Sequence, residues 1–374
     1  MDGEFLRIAA FGGFRTIPPE PGGAGSDKFA LELYPRIAAK GHLILAYTRN
    51  YNGREDPKIS SYQGVKIKQL RTIKKAGFDT LVHSFKATWD IIFNNSAEYV
   101  HIQSGANSFW AIPLRLAGKK VALTQFAMDW KRDKWPWYSK LFYLFSNIIT
   151  AYVPSKVVCD NIFIQEYFEK KYNRSFSFIP YGCEVSCPSD DETILEKLGL
   201  IKNEYFLFIG RFIPDKGLHL LVDAFEKIKT EKKLVLIGGS PNPGNYEKKI
   251  KSTKDDRIII PGYIYGDESN ILIKNAYAYI QPSLIEGLSP MILTVMGLGT
   301  SLICSDIKEN IFITGDNAIT FESGNSKSLE YALKYSLDNF NIIRLKALQG
   351  KIDVTKRFNW DKTTDLYIEI LSKS

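Results

Sequence analysis

The sequence predicts an α/β protein built from two parallel-sheet domains, and three observations carry that expectation. At 374 residues the chain is too long for one ordinary core and suits two domains of usual size. Short apolar runs, such as residues 6–11, 205–210 and 233–239, alternate with amphipathic segments, the order that builds βαβ units. Several of these runs end in glycine (Gly12-Gly13, Gly210, Gly238-Gly239), where a buried strand passes into a loop that a ligand can approach.

Composition narrows the class. Hydrophobic content of 45% and aromatic content of 13% support globular folding over disorder. No apolar run approaches the ~20 residues needed to span a bilayer. Residues 1–7 lack the basic start and apolar core of a secretory signal, so a cytosolic location is expected. The four cysteines fit that compartment as free thiols. Cys183 and Cys187 stand close together, but no second Cys or His pair lies near them to complete a zinc site.

The formal charge of +8 is uneven: residues 1–180 hold 25 Lys+Arg against 15 Asp+Glu, and the remainder hold 24 against 26. A basic half beside a near-neutral half fits a domain that faces an anionic membrane, a pyrophosphate-linked lipid or nucleic acid; solvated lysines are the plainer alternative. No DNA- or RNA-binding motif accompanies the charge, so nucleic acid is not expected as a partner.

In chain order, residues 6–11 read as a first buried strand, followed by a loop stiffened by Pro18, Pro19 and Pro21 and loosened by Gly22, Gly23 and Gly25. Ser26 or Asp27 can cap the next helix, whose apolar face includes Phe29, Leu33 and Ile37 and whose stop is Lys40-Gly41. Residues 43–47 and 65–70 read as strands and 78–93 as a helix. The basic stretch Lys66, Lys68, Arg71, Lys74 and Lys75 is most simply a solvated strand edge, and an anionic contact is the sharper alternative. Residues 98–103 and 120–124 are further buried strands, with His101 expected as a core-rim histidine bonded to backbone.

After the second of these strands, Trp130, Trp135, Trp137, Tyr138, Phe142, Tyr143 and Phe145 lie among Lys131, Arg132, Lys134 and Lys140. Aromatics at helical spacing ordinarily pack inside, whereas aromatics among cations suit a membrane interface. Residues 148–153 then read as a strand and 155–168 as a helix.

The second half opens with a strand over 205–210, a loop holding Arg211 and Lys216, and Gly217 before a helix. That turn aims two cations at one place and can offset a growing pyrophosphate charge. Strands follow at 233–239, 258–263 and 277–281, and Gly238 and Gly239 end one of them where a base could lie. Residues 281–306 read QPSLIEGLSPMILTVMGLGTSLICSD. Ser289 is a good N-cap and Pro290 suits the first helical position, so a helix start there offers backbone N–H groups to phosphate. Gly287 lets that backbone come close, and Glu286 sits beside the anion seat, placed to accept hydrogen bonds from hydroxyls. A phosphate seat next to a carboxylate suits a nucleotide sugar. Residues 301–305 read as the next strand, two helical segments run from 326 to about 358, and an amphipathic helix covers 360–371.

The 281–306 segment resembles the signature of the retaining glycosyltransferases of GT-B fold often called family 4. The usual form is Glu, then Gly-Phe-Gly-Leu-Pro, then a second Glu eight positions after the first. This chain keeps Glu286, Gly287 and Pro290 but has Thr294 in place of the second Glu, which in the family holds the ribose. Asp129, Trp130, Arg132, Lys134 and Trp135 match a further family stretch, while Gln125 replaces its His; Gln can bond a hydroxyl but takes no proton at neutral pH.

The resemblance implies two Rossmann-like domains facing each other across a cleft. They are expected over residues 1–182, joined by the C-terminal helix 359–374 crossing back, and over 183–358. It implies sugar transfer with retention from a UDP-, GDP- or dTDP-sugar to a saccharide or lipid-linked saccharide acceptor, as in surface-polysaccharide synthesis. Arg211, Lys216 and Glu286 would carry the chemistry. Gly22, Gly23, Gln125, Gly210, Gly239, Gly287, Leu288, Ser289, Pro290 and Thr294 would line the donor site. No metal or other cofactor is expected, since two cations and a helix end can do the charge work. A nucleotide-sugar 2-epimerase of the same fold and a degenerate, non-catalytic partner subunit are the alternatives.

Overall fold

The computed structural model describes residues 5–18, 25–51, 59–73, 78–126, 128, 137–183, 188–240 and 244–373. The chain divides into two compact units, Met1–Tyr181 with Trp360–Ser374, and Gly182–Asn359.

The first unit contains β1 (Arg7–Phe11), α1 (Gly25–Ala39), β2 (Leu43–Asn50), β3 (Ile59–Tyr62), β4 (Val65–Arg71), α2 (Phe78–Phe93) and β5 (Tyr99–Gln103). It continues with α3 (Ala111–Leu116), β6 (Lys120–Gln125), α4 (Trp137–Tyr152), β7 (Lys156–Cys159), α5 (Ile162–Tyr172) and β8 (Ser177–Phe178). The strands form one sheet in the order β3-β4-β2-β1-β5-β6-β7-β8, parallel throughout except that β3 pairs antiparallel with β4. Buried on both faces, the central strands carry apolar residues at successive positions, as Ile8, Ala9, Ala10 and Phe11 show.

Three expectations change in this unit. Residues 148–152 are not a strand: they close α4, whose Ser146, Asn147, Ile149, Thr150 and Ala151 are buried at helical spacing. The β-branched pair Ile148-Ile149 imitates a strand, but the real one is the four-residue β7, and the helix after it begins at Ile162 with Asn161 as N-cap. Trp137, Tyr138, Phe142 and Phe145 are exposed rather than core. His101 is fully buried and bonds side chains instead of backbone, Tyr34 Oη at 3.1 Å and Thr124 Oγ1 at 2.8 Å. In the basic stretch, Lys68 pairs with Asp90 at 2.7 Å; Lys74 and Lys75 lie outside the described residues.

The second unit runs α6 (Thr193–Lys197), β9 (Tyr205–Arg211), α7 (Leu218–Phe225), β10 (Lys233–Gly239), α8 (Asn245–Lys251), β11 (Ile258–Gly262), α9 (Gly266–Lys274) and β12 (Ala278–Gln281). Then come α10 (Pro290–Leu298), β13 (Leu302–Ser305), α11 (Lys308–Thr314), β14 (Ile319–Phe321), α12 (Ser326–Asp338) and α13 (Phe340–Arg357). The six strands are all parallel, in the order β11-β10-β9-β12-β13-β14. The chain builds outward from β9 to β11 and then returns to the other side at β12, so β9 and β12 flank the point where the strand order reverses. Loops leaving the carboxyl ends of two such strands part in opposite directions and leave a crevice for ligands.

The last helix, α14 (Trp360–Ser372), belongs to the first unit and packs on α1, β5 and β6. Phe29 of α1 lies edge-on to Tyr367 with ring centres 5.5 Å apart. The Tyr367 hydroxyl shares a hydrogen bond with Thr124 Oγ1 of β6 at 3.0 Å, so that the helix is tied to both layers.

Candidate active site

The strongest cluster of functional groups sits where the second sheet reverses order. The loop after β12 carries Glu286, and the loop after β9 carries Lys216. Two contacts hold the loops together: Leu284 N donates to Asp215 O at 2.9 Å, and Gly217 lies against Pro282. Gly217 has φ +66°, and a Cβ there would fall 2.0 Å from Pro282 O, so only glycine lets the loops meet.

Glu286 is held by three donors on one oxygen. Lys216 Nζ lies 2.5 Å from Oε1, Gln281 Nε2 donates to it at 2.6 Å, and Ser283 Oγ donates at 2.7 Å. Ser305 Oγ donates to Ser283 O at 2.5 Å, and Asn310 Nδ2 donates to Ser305 Oγ at 3.0 Å, so the support reaches the far side of β13. The Lys216 and Glu286 side chains are 20% and 10% exposed. A pair so sheltered attracts more strongly than a surface pair and is harder to break.

Helix α10 begins beside this pair. Ser289 caps it, its Oγ accepting from Ile292 N, and Pro290 occupies the first helical position. The first turn of a helix leaves N–H groups that its own ladder does not bond, and the dipole adds positive charge there. Gly287, Leu288 and Ser289 lead directly into that turn. Thr294 lies one turn further on, and its hydroxyl donates back to Pro290 O at 3.0 Å, a local bond within the helix.

Arg211 is the last residue of β9 and stands opposite Gly239 of β10 in the sheet register. Its charge reaches the Tyr263 phenol, whose pKa nonetheless rises because burial outweighs that pull. Tyr263 stacks on Tyr265 with rings 5.8 Å apart and 7° from parallel, and a Cβ on Gly239 would lie 3.2 Å from the Tyr263 ring. At the same strand end, Gly238 adopts φ +129° with its Cβ direction 1.9 Å from Gly210 O. Lys216 thus pairs with Glu286, and Arg211 lies within electrostatic reach of Tyr263.

In the first unit, Gln125 ends β6 and is 3% exposed. Its Oε1 packs where a Cβ on Gly105 would stand, 1.9 Å away. Gly22, Gly23, Asp129, Trp130, Arg132, Lys134, Trp135 and Cys187 lie outside the described residues. Sequence reasoning missed Gln281 and Ser283 as supports of Glu286; both lie within five residues of it. Arg49 was missed as well: it ion-pairs with Asp79 at 2.7 Å and donates to Gly12 O at 3.0 Å, bracing the first glycine turn.

Comparison with known proteins matches part of this chain to a known family. Residues 203–339, most of the second unit, match the model described as Glycosyl transferases group 1. The chain carries a group 1 glycosyltransferase domain on a GT-B fold. The group 1 domain includes Arg211, Lys216, Glu286 and Thr294. Among curated relatives, O-antigen chain mannosyltransferase C of Escherichia coli is 27% identical over 151 residues, 37% of this chain and 40% of that one. The chain spans less than half the length of the first curated relatives it matches (40, 48 and 44%). Among solved structures, sucrose-phosphate synthase of Thermosynechococcus elongatus superposes with TM-score 0.81 at 18% identity, covering 99% of this chain and 100% of that one. HepE of Anabaena, solved in complex with UDP and glucose, gives 0.80 at 13% identity over 99% and 100% of the two chains. At such identities the likeness is one of fold.

Proposed function

We propose that the chain transfers a sugar from a nucleoside diphosphate donor to an acceptor hydroxyl with retention of configuration, in the assembly of a surface polysaccharide. The observation that carries this reading is the Lys216–Glu286 pair at the start of α10. It sets a cation and a carboxylate beside the positive end of a helix, which matches a ligand that is phosphate at one end and polyol at the other.

In this reading the diphosphate takes Lys216 as a partner, and Glu286, still held by Gln281 and Ser283, accepts bonds from donor-sugar hydroxyls. The acceptor oxygen attacks the anomeric carbon on the face the phosphate is leaving. The bond from that carbon to the phosphate oxygen breaks, its electron pair stays with the diphosphate, and the acceptor proton passes to that phosphate oxygen. Lys216, Arg211 and the α10 start stabilise the charge that grows there. The first unit would carry the acceptor, a saccharide or lipid-linked saccharide. Because these cations do the charge work, EDTA is expected to leave turnover unchanged; a strict metal requirement would contradict the reading.

A second reading, a partner subunit that has lost donor binding, draws on Thr294, whose hydroxyl is engaged within α10 where the family pattern has a carboxylate. Calorimetric titration with UDP-, GDP- and dTDP-sugars separates the two. Donor binding, followed by transfer only when an acceptor is added, supports the transferase. No binding to any of them supports the partner subunit, and conversion of the donor without acceptor points to an epimerase.

A further inference from the structure

The first unit turns an apolar face outward. Helix α4 buries mainly small and polar side chains, Ser146, Asn147, Thr150 and Ala151, and exposes Trp137, Leu141 and Phe145. Ile149, Tyr143 and Leu144 still pack inward, but the outward face is apolar too, where an amphipathic helix of a soluble core is ordinarily polar. Neighbouring elements extend the face. On the 3-10 turn Gly105–Trp110, Phe109 stacks on Phe142 with ring centres 5.2 Å apart. The adjacent Trp110 meets Phe85 of α2 at 5.8 Å. From there Phe85, Trp89 and Phe93 run along α2 in ring-to-ring contact at 5.9 and 5.7 Å. Leu116, Trp137 and Phe93 are 84, 77 and 74% exposed. Monomeric proteins seldom leave so extended an apolar surface in water unless something covers it.

Charge indicates what covers it. The 3-10 turn, α3 and α4 contain no Asp or Glu. The two carboxylates of α2 are neutralised, Asp79 by Arg49 and Asp90 by Lys68, each at 2.7 Å. The cations Lys86, Arg115 and Lys119 donate to backbone carbonyls of Arg71, Lys119 and Ala97, which leaves their charge uncompensated by those contacts. The face is therefore aromatic and positive. A second copy would present the same sign and be repelled, whereas anionic headgroups around an acyl layer complement both properties.

We propose that α2, the 3-10 turn, α3 and α4 dock this chain on an anionic lipid bilayer. The rings of Trp137, Phe142 and Trp89 sit at headgroup depth, and the flanking lysines and arginine meet lipid phosphates. Among the described residues no helix is long and apolar enough to cross a membrane, and docking on this face needs none.

The test is flotation of the full chain with phosphatidylglycerol vesicles and with phosphatidylcholine vesicles. The wild type is expected to float with the former at low salt, and to do so several-fold less at high salt or with the latter. The double variant Trp137→Ala/Leu141→Ala, and separately Phe93→Ala, are expected to lower the vesicle partition coefficient by about tenfold or more with unchanged thermal unfolding, since these side chains touch lipid and not the core. Glu286→Gln, carried alongside, is expected to float like wild type, which keeps loss of membrane binding distinct from loss of sugar transfer. Wild type that stays in the soluble fraction at low salt overturns the proposal. So do folded aromatic variants that float as well as wild type. A dimer in solution that the double variant splits into monomers assigns the face to self-association instead.

Discussion

In the proposed role Glu286 serves a sugar only while it points one way, and three donors on a single oxygen keep it there. Replacing Glu286 with Gln removes the charge that binds Lys216 but keeps the shape, so the fold is expected to survive. Transfer is expected to fall by roughly a hundredfold or more, as when a preorganised charge is removed from an active site, measured as initial rate at saturating donor. Ser283→Ala takes away one of the three donors and is expected to raise KM for donor by several-fold with a smaller change in kcat. Gly217→Ala acts differently: with φ +66° and Pro282 O only 2.0 Å from the new Cβ, the two loops must separate. A loss of about 1–3 kcal/mol in unfolding free energy is expected, along with activity. At this scale the sequence exposed the charged residues and the special glycines, because chemistry and backbone need both show in residue type. It did not show which cation meets which anion. Lys216 reaches Glu286 because two loops seventy positions apart are brought together by a strand order that no local pattern encodes.

Among the elements, the strands near 205–210, 233–239, 258–263, 277–281 and 301–305 and the helix capped by Ser289 were legible in the second unit, while the short α6, α11 and β14 were not. The error fell at α4. Much of its apolar surface, Trp137, Leu141, Phe142 and Phe145, faces solvent, while Ser146, Asn147 and Thr150 are buried beside Ile149, so a periodicity that assumes apolar means inside misplaces it. The antiparallel β3 also went unread, since residues 59–62 are short and mixed in polarity. The C-terminal helix α14 was legible as an amphipathic run, and its resting place on the first unit came from family resemblance. Its anchor is Tyr367, fully buried against Phe29, His101 and Thr124. Tyr367→Ala is expected to destabilise the first unit by about 3 kcal/mol or more, read by denaturant unfolding, because it leaves a large cavity and deprives the Thr124 hydroxyl of a partner.

Across the whole molecule, the two ring systems His83 and His101 set an acid limit. Burial pushes both pKa values down to about 3, against roughly 6.5 in an unfolded chain. Between those values the unfolded state binds more protons than the folded one, so stability is full above about pH 6.5 and declines as pH falls toward 3. Thermal unfolding midpoints are expected to be level above pH 6.5 and to drop by at least several degrees by pH 4.5, with His101→Gln showing a shallower drop. The uneven charge belongs to this scale too: the sequence located the basic half, and the structure located its aromatic face. What joins both halves into one account is the proposed recognition of a diphosphate-linked sugar by the second unit. The most direct measurement is calorimetric titration of a nucleotide-sugar panel into wild type, Lys216→Ala and Glu286→Gln under identical conditions. Binding of at least one nucleotide sugar by wild type, weakened by about tenfold or more in both folded variants, is the expected result. Equal affinity in all three proteins would contradict the assignment of the donor grip to these two residues.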